Sequence, residues 1–148
     1  MSRYFLHIAY NGAPFCGWQR QHNALSVQQV LEKALSALLR ADISVVGCGR
    51  TDAGVSASKY FAHFDIDFGL GLGLGLADGA VAGDDVVSGA KFLYQLNAVL
   101  PKEIVVYEIY EVSKGMHARF SAISRTYKYY IHTSKNPFLN DFSFFVPF

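Results

Sequence analysis

Residues 47–55 read Gly47-Cys48-Gly49-Arg50-Thr51-Asp52-Ala53-Gly54-Val55, a glycine-flanked turn between two apolar runs, Ile43 to Val46 before it and Tyr60 to Phe64 after it. Glycine reaches backbone angles closed to other residues, so such a turn is sharp and holds its side chains tightly. It carries one cation and one carboxylate, Arg50 and Asp52. In an extended segment residues two apart point the same way, so the two groups would share a face. An arginine so placed would keep the carboxylate ionised and fix its direction through charge-assisted hydrogen bonds. A nucleophilic or general-base aspartate needs both. An ordinary turn fits the same residues, with Asp52 capping a local amide and Arg50 in a surface ion pair. Spacing alone favours the ordinary turn, because aspartate is common in turns for local reasons.

Upstream, Arg3 to Tyr10 alternates, with Tyr4, Leu6, Ile8 and Tyr10 on one side and Phe5, His7 and Ala9 on the other. Both faces are apolar, which predicts a central strand. Asn11-Gly12-Ala13-Pro14 breaks it, and the loop Phe15 to Asn23 follows. There Trp18 reads as a buried anchor that leaves Gln19, Arg20 and Gln21 to reach a polar ligand such as RNA. Val27, Val30, Leu31, Ala34, Leu35 and Leu38 recur at helical spacing and predict a one-sided core helix ending at Ala41-Asp42. Ser26 with Gln29 forms a capping box at its start, and Leu25 with Val30 a hydrophobic staple. Short strands are expected over Ile43–Val46 and Lys59–Asp67.

Residues Phe68 to Asp85 contain a Gly-Leu repeat without the Gly-Lys-Ser/Thr of a phosphate-binding loop, and read as a flexible insertion. A second helix is expected over Val86–Val99, with Asp84 or Asp85 capping it and Pro101 stopping it. Its buried side would carry Ala90, Leu93, Leu96, Asn97 and Leu100. Ile104 to Val112 reads as a strand, and Ala118 to His132 as one long or bent strand in which Tyr129 belongs to the core. The fold class is therefore α+β: a split β-α-β arrangement of the RRM or ferredoxin-like kind, with a mostly antiparallel sheet, two helices on one face, and an added strand. The other sheet face is left for something to cover.

Composition limits the rest. The 148 residues are 51% hydrophobic and 17% charged, as expected of one folded soluble domain. No apolar run reaches membrane-spanning length, and the first residues lack a signal peptide's apolar region. Cys16 and Cys48 make neither a disulfide framework nor a metal-ligand pattern, which fits a reducing cytoplasm. The net charge of +1 excludes nothing. After Ser113, however, Lys114, Arg119, Arg125, Lys128 and Lys135 stand against a lone acid, Asp141, as a candidate basic surface. No Ser-His-Asp or Cys-His pattern occurs, and the RNP1 pattern is missing from Tyr127-Lys128-Tyr129-Tyr130.

The motifs in series resemble a family. Tyr10-Asn11-Gly12, Phe15 to Gln21, Ser26-Val27-Gln28 and Gly49 to Val55 look like the start of a tRNA pseudouridine synthase of the TruA type. His63-Phe64, Leu96 to Pro101, His117 to Ala122 and Ser124 to Tyr129 continue it in the same order. The resemblance implies the pseudouridine synthase fold, with Asp52 as catalytic carboxylate and Arg50 orienting it. It further implies Tyr127 against the target base and Arg20 in contact with RNA. Gln19 beside it, and Arg125 and Lys128 of the basic segment, are expected as further RNA contacts, with His117 and Arg119 as candidates for supporting the site from behind. The implied reaction converts uridine to pseudouridine at positions 38–40 of the tRNA anticodon stem-loop, without metal or cofactor, in a full-length family member that is a homodimer. Two departures stand out. Ser56 occupies a position where the family commonly carries histidine. The family also has two α/β halves, so residues 1–148 are expected to be the N-terminal one, with the second half absent. A non-catalytic RNA-binding module is the alternative reading.

Overall fold

The computed structural model describes residues 1–67 and 89–147. The Gly-Leu insertion, the helix start at Val86 and its capping aspartates lie outside the described residues. Among the described residues eight elements follow in order: β1 (Ser2–Tyr10), α1 (Val27–Leu39), β2 (Val45–Gly47), β3 (Ala57–Ile66), α2 (Gly89–Val99), β4 (Ile104–Val112), β5 (Ile131–His132) and β6 (Phe144–Phe145). The first four strands form one sheet in the order β2-β3-β1-β4, every neighbouring pair antiparallel. This is the β-α-β-β-α-β arrangement expected from the sequence, with β1 inside the sheet.

One sheet face carries Tyr4, Leu6, Ile8, Tyr10, Val45, Tyr60, Ala62, Phe64, Ile66, Ile104 and Val106, all buried in a single cluster with side chains from both helices. That shared cluster puts α1 and α2 over the same face. Ser26 caps α1, its hydroxyl accepting the Gln29 N–H at 3.2 Å. The reciprocal half of the capping box is not seen, and Leu25 stays half exposed. The helix closes at Arg40, which takes the left-handed conformation with φ 51°. Glu32, on the apolar side of α1, is buried because it splices helix to sheet. Its carboxylate accepts the Val45 N–H at 3.0 Å, while Gln28 donates to the Val45 carbonyl at 2.9 Å. In α2 the buried residues are Phe92 and Leu96, and Ala90 is exposed, contrary to expectation. Asn97 ties α2 to β4, exchanging two 2.8 Å bonds with the backbone of Val106.

The strand expected over Ala118–His132 does not form. Only Ile131–His132 is a strand; it pairs in parallel with Phe144–Phe145, apart from the main sheet. Ile123 and Tyr129 are 102% and 89% exposed, so Tyr129 is not a core residue. Strand propensity is a preference for a half-buried pleated surface, and none is offered to these side chains here.

The second sheet face is covered in part by residues 114–121. Arg3 makes a twofold bond to Asp65 at 2.7 Å and also donates to the carbonyls of Lys114 and Met116. His63, 3% exposed, accepts the Ala118 N–H at Nδ1, 3.1 Å away, and its ring lies against Phe5 and His117. Burial, helped by Arg3 and His117, pushes the imidazole down to about 4, against an opposing pull from Asp65. The unfolded chain therefore takes up a proton at higher pH than the native one. Stability should fall as pH drops from about 6.5 towards 4, by on the order of 2–3 kcal/mol, and this loss should cease below that window. The Arg3–Asp65 pair titrates lower, its carboxyl held below the ordinary range mainly by the bond from Arg3. Urea unfolding at pH 7 and pH 5 should show the loss in the parent chain and a much smaller difference in His63→Asn.

Candidate functional site

The turn at 47–56 owes its shape to the loop before α1. β2 ends at Gly47, and the Cys48 N–H makes a further bond to the β3 backbone, at Phe61 O, 2.8 Å. Beyond it the chain lies on residues 12–18. Trp18 N–H donates to the Thr51 carbonyl at 3.1 Å, Gly54 N–H to the Phe15 carbonyl at 3.1 Å, and Gly12 N–H to the Ser56 hydroxyl at 3.0 Å. Ser56, the departure from the family pattern, thus terminates this contact. The backbones touch so closely that a Cβ on Gly12 would sit 2.0 Å from the Val55 carbonyl oxygen.

Under the turn lies an aromatic floor. Trp18, buried as expected, packs on Tyr60 with ring centroids 4.4 Å apart, and Tyr10 meets both. A Cβ on Gly47 would strike the Tyr60 hydroxyl at 2.1 Å and the Trp18 indole at 2.5 Å, so only glycine lets the floor close. The Tyr10 hydroxyl bonds Thr51 Oγ1 at 2.9 Å, and the Tyr60 hydroxyl donates to the Gly49 carbonyl. Burial pushes the Tyr10 hydroxyl up to about 12 despite its bond to Thr51, and burial raises Tyr60 further. Tyr127 is 61% exposed and lies outside the buried cluster. Neither Tyr10 nor Tyr60 was singled out from the sequence as part of the site. The signal available was only that each is a core-facing strand tyrosine near the turn.

A cleft of about 160 Å³ opens beside the turn, lined by Trp18, Gln19, Gln28, Val45, Val46, Gly47, Gly49, Arg50 and Arg119. Three residues separated widely in sequence, Gln19, Arg50 and Arg119, therefore meet. Arg125 joins them as a strap, donating to the Cys48 carbonyl and the Arg119 carbonyl, each at 2.7 Å. Asp52 is exposed on the turn, its carbonyl accepting the Val55 N–H at 3.1 Å.

The expected pairing of Arg50 with Asp52 is not present. The ion pairs among the described residues are Met1–Asp67, Arg3–Asp65 and Arg20–Glu32. The two-residue alternation fails because the strand has already ended at Gly47 and the chain bends at Cys48 and Gly49. Arg50 lines the cleft, where Arg119 is the other lining cation. Arg20 is not brought into the cleft either: its guanidinium lies 3.3 Å from the Glu32 carboxylate. His117 serves its own turn, with Nδ1 accepting from the N–H groups of Arg119 and Phe120 at 3.2 and 3.3 Å. Lys128 is exposed, as are Lys114, Arg119, Arg125 and Lys135, so the basic segment faces solvent.

Chemically, the arrangement offers an exposed carboxylate on the turn and two guanidinium groups lining a small cleft beside it, on a packed aromatic floor. Among the described residues no group of three or more His, Cys, Asp or Glu side chains could hold a metal ion. No helix among them is long and apolar enough to cross a membrane.

No protein-family model matches the chain. Curated proteins do. The chain is 45% identical over 141 residues to tRNA pseudouridine synthase A of Azobacteroides pseudotrichonymphae, covering 95% of this chain and 50% of that protein. It is 44% identical to the proteins of the same name from Parabacteroides distasonis and Bacteroides thetaiotaomicron, covering 99% of this chain and 52% and 48% of theirs. The chain spans about half the length of the curated relatives it matches. Over the half that it spans, the chain is similar to these tRNA pseudouridine synthase A proteins along nearly its whole length.

Proposed function

We propose that the chain is the Asp52-bearing N-terminal half of a tRNA pseudouridine synthase acting on uridines 38–40 of the anticodon stem-loop. The observation that carries this is the 45% identity, over 95% of the chain, to a protein of that name. The geometry supports it: an exposed carboxylate stands on a rigid turn whose Arg50 lines the adjoining cleft.

The reaction breaks the N1–C1′ bond of the target uridine and forms C5–C1′ in the same nucleotide. The base loses its proton at C5 and gains one at N1, so no electrons are exchanged with a redox partner. Asp52 serves either by attacking C6 of the base or by assisting departure of uracil at C1′. The target base must leave its stack, which costs a few kcal/mol. Tyr127, 61% exposed, is available to stack on the extruded base. Arg50 takes the hydrogen bonds that the base gives up. Gln19, Arg20, Arg119, Arg125 and Lys128 meet the RNA backbone, with His117 holding the turn that carries Arg119. The full-length protein would work as a homodimer in the cytoplasm, with residues 68–85 an insertion and a second α/β half completing the cleft.

Tritium release from C5-labelled tRNA tests the assignment in the full-length protein. Asp52→Asn should reduce turnover by at least roughly a thousandfold while leaving tRNA affinity nearly unchanged. Normal turnover by that variant would remove Asp52 from the chemistry, whereas anticodon stem-loop binding without turnover, unaffected by Asp52→Asn, would favour a non-catalytic RNA-binding module. Lys128→Ala should weaken tRNA binding and lower the slope of log affinity against log salt by about 1. An unchanged slope would take Lys128 off the RNA-binding face.

A further inference from the structure

We propose that Tyr60 is a positioning residue: its hydroxyl holds the backbone of Gly49 and so sets the direction in which Arg50 and Asp52 leave the sheet. The inference rests on the role given to Asp52 above and adds a residue to which no role has yet been assigned.

Gly49 needs such a hold. β2 has ended two residues earlier, so neither backbone polar group of Gly49 has a partner in the sheet ladder. Tyr60 sits in β3 opposite Ile8, 5% exposed, with its ring fixed between Trp18 and Tyr10. From there the hydroxyl donates to the Gly49 carbonyl and accepts the Gly49 N–H at 3.4 Å. One side chain therefore satisfies both polar groups of the residue preceding Arg50. Tyr10 adds a second hold after Arg50, on the Thr51 side chain through Oγ1 at 2.9 Å. The two grips bracket Arg50.

Packing alone does not explain a tyrosine here. Phenylalanine would fill the same volume against Trp18, and a buried hydroxyl is costly unless bonded. The hydroxyl's partners are the two groups of Gly49. Burial keeps it protonated at ordinary pH, so it remains a donor to the carbonyl throughout. Catalytic groups lose rate steeply when displaced by small distances, so releasing Gly49 should be felt at Asp52 more than in tRNA binding.

Tyr60→Phe isolates the hydroxyl. Amide exchange measured on this chain should accelerate at Gly49 by about tenfold or more, while Cys48, bonded to Phe61 O, changes far less. In the full-length protein, kcat for tRNA should fall about tenfold or more with KM nearly unchanged, at a temperature where parent and variant are both folded. Unchanged exchange at Gly49 overturns the proposal, as does faster exchange with an unchanged kcat. A variant that does not fold also counts against it, since the residue's role would then be that of the core. If Asp52→Asn turns over normally, the role given to Asp52 falls instead, and the exchange measurement still decides whether Tyr60 holds Gly49.

Discussion

Everything near the candidate site depends on two stretches of backbone lying in direct contact, residues 12–18 and residues 47–56. Three hydrogen bonds join them, at Gly12, Trp18 and Gly54, and the gap at Gly12 is too narrow for any side chain. A turn tied only at its ends would leave Asp52 free to wander. This one is fastened along its length to a loop that is itself fastened to α1, through the bonds from Val27 N–H to Gly17 and from Gln28 N–H to Trp18. The exposed carboxylate thus stands on a scaffold continuous with the core. That is the arrangement in which loops carry chemistry on rigid elements.

The aromatic floor and the polar bonds divide the labour. Trp18, Tyr10 and Tyr60 supply buried apolar area and fix the height of the turn. The Tyr60 hydroxyl then gives partners to the Gly49 backbone groups that the end of β2 leaves without a ladder, and the Tyr10 hydroxyl bonds the Thr51 side chain. A buried hydroxyl either finds a partner or destabilises the fold, so floor and turn specify each other.

On the opposite sheet face, Arg3, Asp65 and His63 hold the segment from Lys114 to Ser121, and Arg125 carries that hold around to Cys48. The consequence is that Arg119 reaches the same cleft as Gln19 and Arg50, which neither helix nor sheet would bring about. Residues 123–131 then run largely exposed, Tyr127 among them.

The sequence by itself determined the β-α-β-β-α-β order, the position of β1 inside the sheet, the start of α1 at Ser26 and the buried role of Trp18. These follow from periodicity, capping and residue size, which act over a few neighbouring positions. The motif series also pointed to the turn at Arg50-Thr51-Asp52 as the place of interest. Tertiary structure alone decided that Arg50 turns to the cleft instead of pairing with Asp52, that Arg20 pairs with Glu32, and that Ala118–Tyr130 is not a strand. It also decided that Tyr10 and Tyr60 brace the turn. Each of these depends on which groups meet across tens of residues of chain, and such meetings are set by the packing of the whole sheet, not by local spacing.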